Sequence, residues 1–90
     1  MKYSIRRTSS FKTSIKKIKN QALLDEIKSV IDRLANNETL EEKHHDHKLK
    51  GEFLGYRECH IKPDLLLLYQ KHDDILVLVC INVGSHSELF

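Results

Sequence analysis

The spacing of apolar residues changes period once along this 90-residue chain, and that change restricts the fold more than any other feature. Leu24, Ile27, Ile31 and Leu34 recur at intervals of three, four and three, which places them on one face of a helix with charged residues on the other. Phe11, Ile15 and Ile18 mark a similar face just before it, set among lysines, and predict an amphipathic helix with a basic outer side. From Tyr56 the period becomes two. Tyr56, Glu58, His60 and Lys62 then face one way along a strand, while Arg57, Cys59 and Ile61 face the other. Leu65 to Tyr69 is a continuous apolar run suited to an interior strand, and Ile75 to Val83 reads as the longest strand.

The segments between these runs complete the outline. Residues 2 to 7 alternate loosely and read as a short strand, after which Thr8, Ser9 and Ser10 offer N-cap oxygens to the first helix. Asn20-Gln21 is a break, the second helix ends near Asn36-Asn37, and the two helices are expected to pair as a hairpin. Residues 38 to 55 hold few apolar positions but many His, Lys and Glu, with Gly51 and Gly55, so an exposed loop with limited regular structure is expected. Pro63-Asp64 and His72-Asp73-Asp74 make turns, which gives three consecutive antiparallel strands. Residues 84 to 90 read as a short polar tail whose Leu89 and Phe90 can pack back onto the sheet.

This order predicts an α+β fold, with an N-terminal strand and a two-helix hairpin packed on an antiparallel sheet of C-terminal strands. The helices cover one sheet face, and the partly open face is where a site is expected. A chain of this length buries only about 60–65% of its unfolded surface, enough for one core, so residues 1–90 are expected to form a single domain.

Composition narrows the classes. Hydrophobic residues at 40% and charged residues at 31%, with three Gly and one Pro, describe an ordinary globular chain with little room for disordered linkers. No run approaches the ~18 apolar residues of a membrane helix, and Met1-Lys2-Tyr3-Ser4-Ile5 turns basic where a secretory signal would be apolar. A cytoplasmic location is expected. Cys59 and Cys80 lie in hydrophobic runs without paired short spacing and read as buried reduced thiols.

The net charge of +2 says little about partners, but its distribution is uneven. Lys2, Arg6, Arg7, Lys12, Lys16, Lys17 and Lys19 all precede the first acidic residue, Asp25, and a second group, Lys43, Lys48, Lys50 and Arg57, spans the histidine-rich middle. Both a phosphate-bearing partner and a plain solvated surface fit that pattern.

Six histidines supply the chemistry. His44, His45 and His47 suggest a metal, but consecutive histidines cannot both enter one site from regular structure, and no Cys or second histidine pair completes a ligand set. No metal or other cofactor is therefore expected. His60 shares a strand face with Glu58, Asp64 follows at the turn, and His47 and His86 flank them in sequence. RNA is cut without metal when a base takes the 2′-hydroxyl proton, an acid protonates the departing 5′-oxygen, and cations stabilise the crowded phosphorane. Histidines, carboxylates and basic residues are the parts that this requires, although strand histidines also serve purely as satisfied surface or core residues.

Three strings connect these residues to a known family: Asp46-His47-Lys48-Leu49-Lys50-Gly51, then Gly55-Tyr56-Arg57-Glu58-Cys59-His60-Ile61-Lys62-Pro63-Asp64, and Gly84-Ser85-His86-Ser87-Glu88-Leu89-Phe90. They resemble, in order and over the whole chain, the motifs of YafQ-type toxins in the RelE/ParE superfamily. The resemblance implies a ribosome-dependent endoribonuclease that cuts translated mRNA, held silent by a cognate antitoxin and reaching operator DNA, if at all, only through that antitoxin. It implies proton transfer by His86 and His60, orientation or tuning by Asp64 and Glu58, and phosphate contact or proton relay by His47. Phe90 matches the family's terminal aromatic, which either stacks on a base or plugs the sheet. Asn82 departs from the pattern, since many members carry arginine there; an amide can donate to phosphate but brings no charge unless Lys48, Lys50 or Arg57 substitutes. A toxin-fold binding module without cleavage, and a ParE-like gyrase poison, are the alternatives on the same fold.

Overall fold

A computed structural model describes all 90 residues, Met1–Phe90. Its elements are β1 (Ser4–Arg7), α1 (Ser9–Lys17), α2 (Gln21–Ala35), β2 (His47–Lys48), β3 (Arg57–Lys62), β4 (Leu65–His72), β5 (Val77–Gly84) and α3 (His86–Leu89), with single 3-10 turns at Glu42–His44 and Gly51–Phe53. The five strands form one sheet in the order β1-β5-β4-β3-β2. β4 runs antiparallel to both β3 and β5, and β2 antiparallel to β3. β1 lies parallel to β5, a pairing across the whole chain length that local sequence patterns do not specify.

Both long helices start where their caps predict. The Thr8 side chain accepts from the Phe11 N–H, and that of Asn20 accepts from the Leu23 N–H. α2 ends at Ala35, with Asn37 in the left-handed region at φ 63°. Their apolar faces, Phe11 from α1 and Ile27, Val30, Ile31, Leu34 and Ala35 from α2, meet Cys59, Ile61, Leu67, Tyr69, Leu78, Cys80 and Val83 of the sheet in the main core. The groove between the two helices is lined by Phe11, Ile15, Leu24, Ile27 and Ile31. α1 runs beside β5, and α2 packs over β3.

Two bulges decide which side chains reach the other sheet face. In β5, Leu68 faces Asn82 but Tyr69 faces Cys80, so Ile81 is the extra residue and its carbonyl accepts from the Thr8 hydroxyl at 2.5 Å. Plain alternation would put Asn82 beside Cys80 in the core; the bulge turns Asn82 and Gly84 to the open face. In β3, His60 faces Leu66 and Lys62 faces Leu65, leaving Ile61 unpaired and directed to the core. β5, expected over Ile75 to Val83 as the longest strand, begins later and only equals β4 at eight residues, because Ile75 and Leu76 belong to the turn before it and Leu76 is held at φ 53°. The presumed loop of residues 38 to 55 contains β2, and the presumed tail contains α3.

Candidate active site on the open sheet face

Cross-strand partners share a face, so register alone places the expected residues. One row runs His47, Glu58, Leu68, Asn82 across β2, β3, β4 and β5, and the next runs His60, Leu66, Gly84. With strands about 4.8 Å apart, the first row spans about 14 Å. Leu66 and Leu68 are buried yet lie outside the main core, because they floor this second layer.

α3 folds back over that floor, packing on β4 and β5. Gly84 permits it: a Cβ there would meet Glu88 Oε1 at 3.1 Å and Leu89 at 3.5 Å. Ser85 caps the helix through a reciprocal box, its hydroxyl accepting from the Glu88 N–H while the Glu88 carboxylate accepts from the Ser85 N–H at 2.7 Å. The Ser85 N–H, and then its hydroxyl, hold the Glu88 carboxyl below the usual range. The first residue of α3 is His86, exposed, with its ring 5.1 Å from that of Phe90. Phe90 meets Phe53 of the Gly51–Phe53 turn edge to face at 4.8 Å and remains 40% exposed, which leaves ring surface free.

His47 and Glu58 form the closest pair of titratable groups on this face, with Nε2 3.3 Å from Oε1. The other ring nitrogen, Nδ1, lies 2.5 Å from the His45 carbonyl, which only accepts, so Nδ1 carries a hydrogen. Nε2 therefore points at the Glu58 carboxylate, and the two form an ion pair whenever the ring is protonated. Glu58 is 7% exposed and His47 is open to solvent, which leaves the imidazole as the part that a ligand meets.

The remaining expected residues fall in different places. Glu58 engages His47, where a partnership with His60 was anticipated. His60 is half-buried at the sheet edge, its ring 5.4 Å from that of His45 and its carbonyl accepting from His44 Nδ1 at 2.7 Å. It borders a polar cavity of about 610 Å³ with Glu26, Arg33, Lys43 and Lys62. Asp64 is exposed in the β3–β4 turn and makes no side-chain hydrogen bond or ion pair. Lys50 is exposed at the start of the turn that carries Phe53, close to the aromatic end of the site.

Arg57 and Lys48, expected beside the substrate phosphate, lie on the other side of the sheet. They are register partners on the core side of the sheet, and the Arg57 guanidinium is tied to Tyr69 Oη at 3.1 Å and Asp46 Oδ1 at 3.3 Å. Asn82 is held from behind: its Oδ1 accepts from the Ser14 hydroxyl at 2.6 Å and the Val83 N–H at 2.8 Å, so its NH₂ group is the part left for a ligand. Ser14 escaped sequence reading because α1 meets β5 only in three dimensions. It sits one helical turn before Lys17, an exposed cation close enough to Glu88 to favour that carboxylate. Arg6, opposite Val79 on β1, is a second cation on the open face, readable from its alternation with the core-packed Ile5. No group of three or more His, Cys, Asp or Glu is arranged to hold a metal.

A five-stranded mixed sheet with its two long helices on one side, and with histidine, carboxylate and aromatic groups and the short α3 on the other, defines a small α+β protein of the RelE-like toxin class. Over residues 3–90 the chain matches a family described as the bacterial toxin of type II toxin-antitoxin systems, YafQ, and it belongs to that family. It is 34% identical to the mRNA interferase toxin YafQ of Escherichia coli K12, over 74% of this chain and 72% of that protein. The toxin in the E. coli DinJ-YafQ toxin-antitoxin complex superposes with a TM-score of 0.85 at 26% identity, covering 100% of this chain and 99% of the other. A metal-bound toxin from Helicobacter pylori superposes with a TM-score of 0.85 at 36% identity, covering 98% and 99%.

Proposed function

We propose that this toxin is an endoribonuclease that cuts mRNA on the ribosome, by acid–base catalysis from its own side chains and without a metal. The observation that carries the reading is the 3.3 Å contact of His47 with the nearly buried Glu58, on the same sheet face as His86. Such a pair can hold or release a proton without leaving an isolated charge in a dry site. The exposed imidazole of His86 supplies the second titratable group, so that one takes the 2′-hydroxyl proton and the other returns one to the 5′-oxygen. Phe90 and Phe53 receive an unstacked base. His60 and Lys50 line the path of the strand, and Asp64 meets it only at the turn.

The missing arginine is answered from α1 and β1. The Asn82 NH₂ donates to the phosphate, while Lys17 and Arg6 bring the positive charge that Lys48 and Arg57 are placed too far round the sheet to give. The protein works in the cytoplasm, where translating ribosomes are, and a cognate antitoxin sets acidic residues against its basic side. Operator DNA is met only through that antitoxin. Glu58→Gln keeps the shape of the site but removes the carboxylate that faces His47. We expect cleavage of translated mRNA to fall by about 10²-fold or more with antitoxin binding unchanged. Full cleavage by Glu58→Gln would remove the pair from the mechanism. A wild-type chain that binds antitoxin but never cuts would instead be a binding module, the reading that the uncharged Asn82 favours.

A further inference from the structure

β2 is two residues long and lies at the sheet edge, yet it must present His47 to Glu58. Its ladder is short: His47 opposite Glu58, Lys48 opposite Arg57, and then the Leu49 N–H to the Tyr56 carbonyl at 2.9 Å. The second of those pairs sets two cations side by side on one face, which by itself disfavours this register. A one-residue slip would swing His47 to the wrong side of the sheet.

What opposes the slip lies on the core side. Asp46, the residue before β2, accepts from the Tyr69 hydroxyl and pairs through the same oxygen with Arg57, whose Nε in turn donates to Tyr69 Oη at 3.1 Å. The three groups close a ring that joins the start of β2 to β3 and β4. Tyr69 is completely buried, and burial, reinforced by Asp46, pushes its phenol well above the usual range, so it always has a proton to donate. Burial works against the Arg57 charge, but its contacts with Tyr69 and Asp46 more than offset that. The carboxylate of Asp46 thus neutralises the cation that Lys48 must sit beside, and it fixes the strand one residue ahead of His47.

We propose that Asp46, Tyr69 and Arg57 form a clamp on the core side of the sheet that sets the position of His47 against Glu58 on the other side, which makes Asp46 a positioning residue for the active site. Its catalytic meaning rests on the reading that His47 and Glu58 serve cleavage; its structural claim does not.

The test uses full-length chains carrying Tyr69→Phe or Asp46→Asn, freed from antitoxin, with the ring nitrogens of His47 and His86 followed by NMR and cleavage of translated mRNA resolved into kcat and KM. The clamp predicts that His47 ring shifts move toward those of a Glu58→Gln chain while those of His86 stay, and that kcat falls at least tenfold with KM within twofold. Unmoved His47 shifts in the folded variants overturn the clamp. Moved shifts with unaltered cleavage uphold it and remove His47 from the chemistry instead. Asp46 is only half-buried on a loop, so Asp46→Asn decides alone if Tyr69→Phe does not fold.

Discussion

At the scale of single residues, side-chain direction separates chemistry from scaffolding among groups of the same type. Lys17 and Lys48 are both exposed lysines, but Lys17 follows Ser14, which holds Asn82, whereas Lys48 pairs with Arg57 on the core side. Lys17→Ala should weaken capture of the RNA strand and flatten its salt dependence by about 0.7 in the log–log slope, while Lys48→Ala leaves both unchanged. Equal effects from the two would contradict the assignment of faces. The cysteines follow the same logic. Burial pushes the Cys80 thiol up to about 11, and the Cys59 thiol further still, with nearby Asp46 adding to it. Neither should react with iodoacetamide at pH 8 in the folded chain, and both should react once it is unfolded.

At the scale of elements, α3 is four residues long, too short to stand on its own propensity, and its capping box holds it against the sheet. Because Glu88 has a folded pKa below its ordinary value, the stability it lends is present above that value and is lost as pH falls through the folded one. We expect the NMR signals of His86 and Phe90 to change below about pH 4 before the rest of the chain unfolds, and Glu88→Gln to abolish that separate step. The spacing of Ser85 and Glu88 was a readable sign of this helix within an apparent tail. The helix faces and the β3 alternation were equally readable, since burying one face imposes a period on sequence. β2 left no such trace, because two residues show no period and their partners lie nine and eleven residues on, in β3. The turning of Asn82 to the open face was hidden for a related reason: the bulge at Ile81 is fixed by Thr8, 73 positions away.

At the scale of the whole molecule, the sheet works as a partition. One face builds the core with α1 and α2, and the other carries a row from His47 through Glu58 to Asn82, roofed at one end by α3. The motifs contain His47, Glu58, His86 and Phe90 but carry no information on sheet faces, so Arg57, which lies on the core side, read as a phosphate ligand. The central claim is that the open face cuts translated mRNA with its own acid–base groups, and its most direct test is to map new 5′ ends on a defined mRNA in a purified translation system. Cuts that need ribosomes, persist with toxin stripped of bound metal by prior dialysis against EDTA while the ribosomal Mg²⁺ is kept, and disappear with both His47→Ala and His86→Ala are expected. Cuts that the metal-stripped toxin no longer makes, or that survive both substitutions, would contradict this.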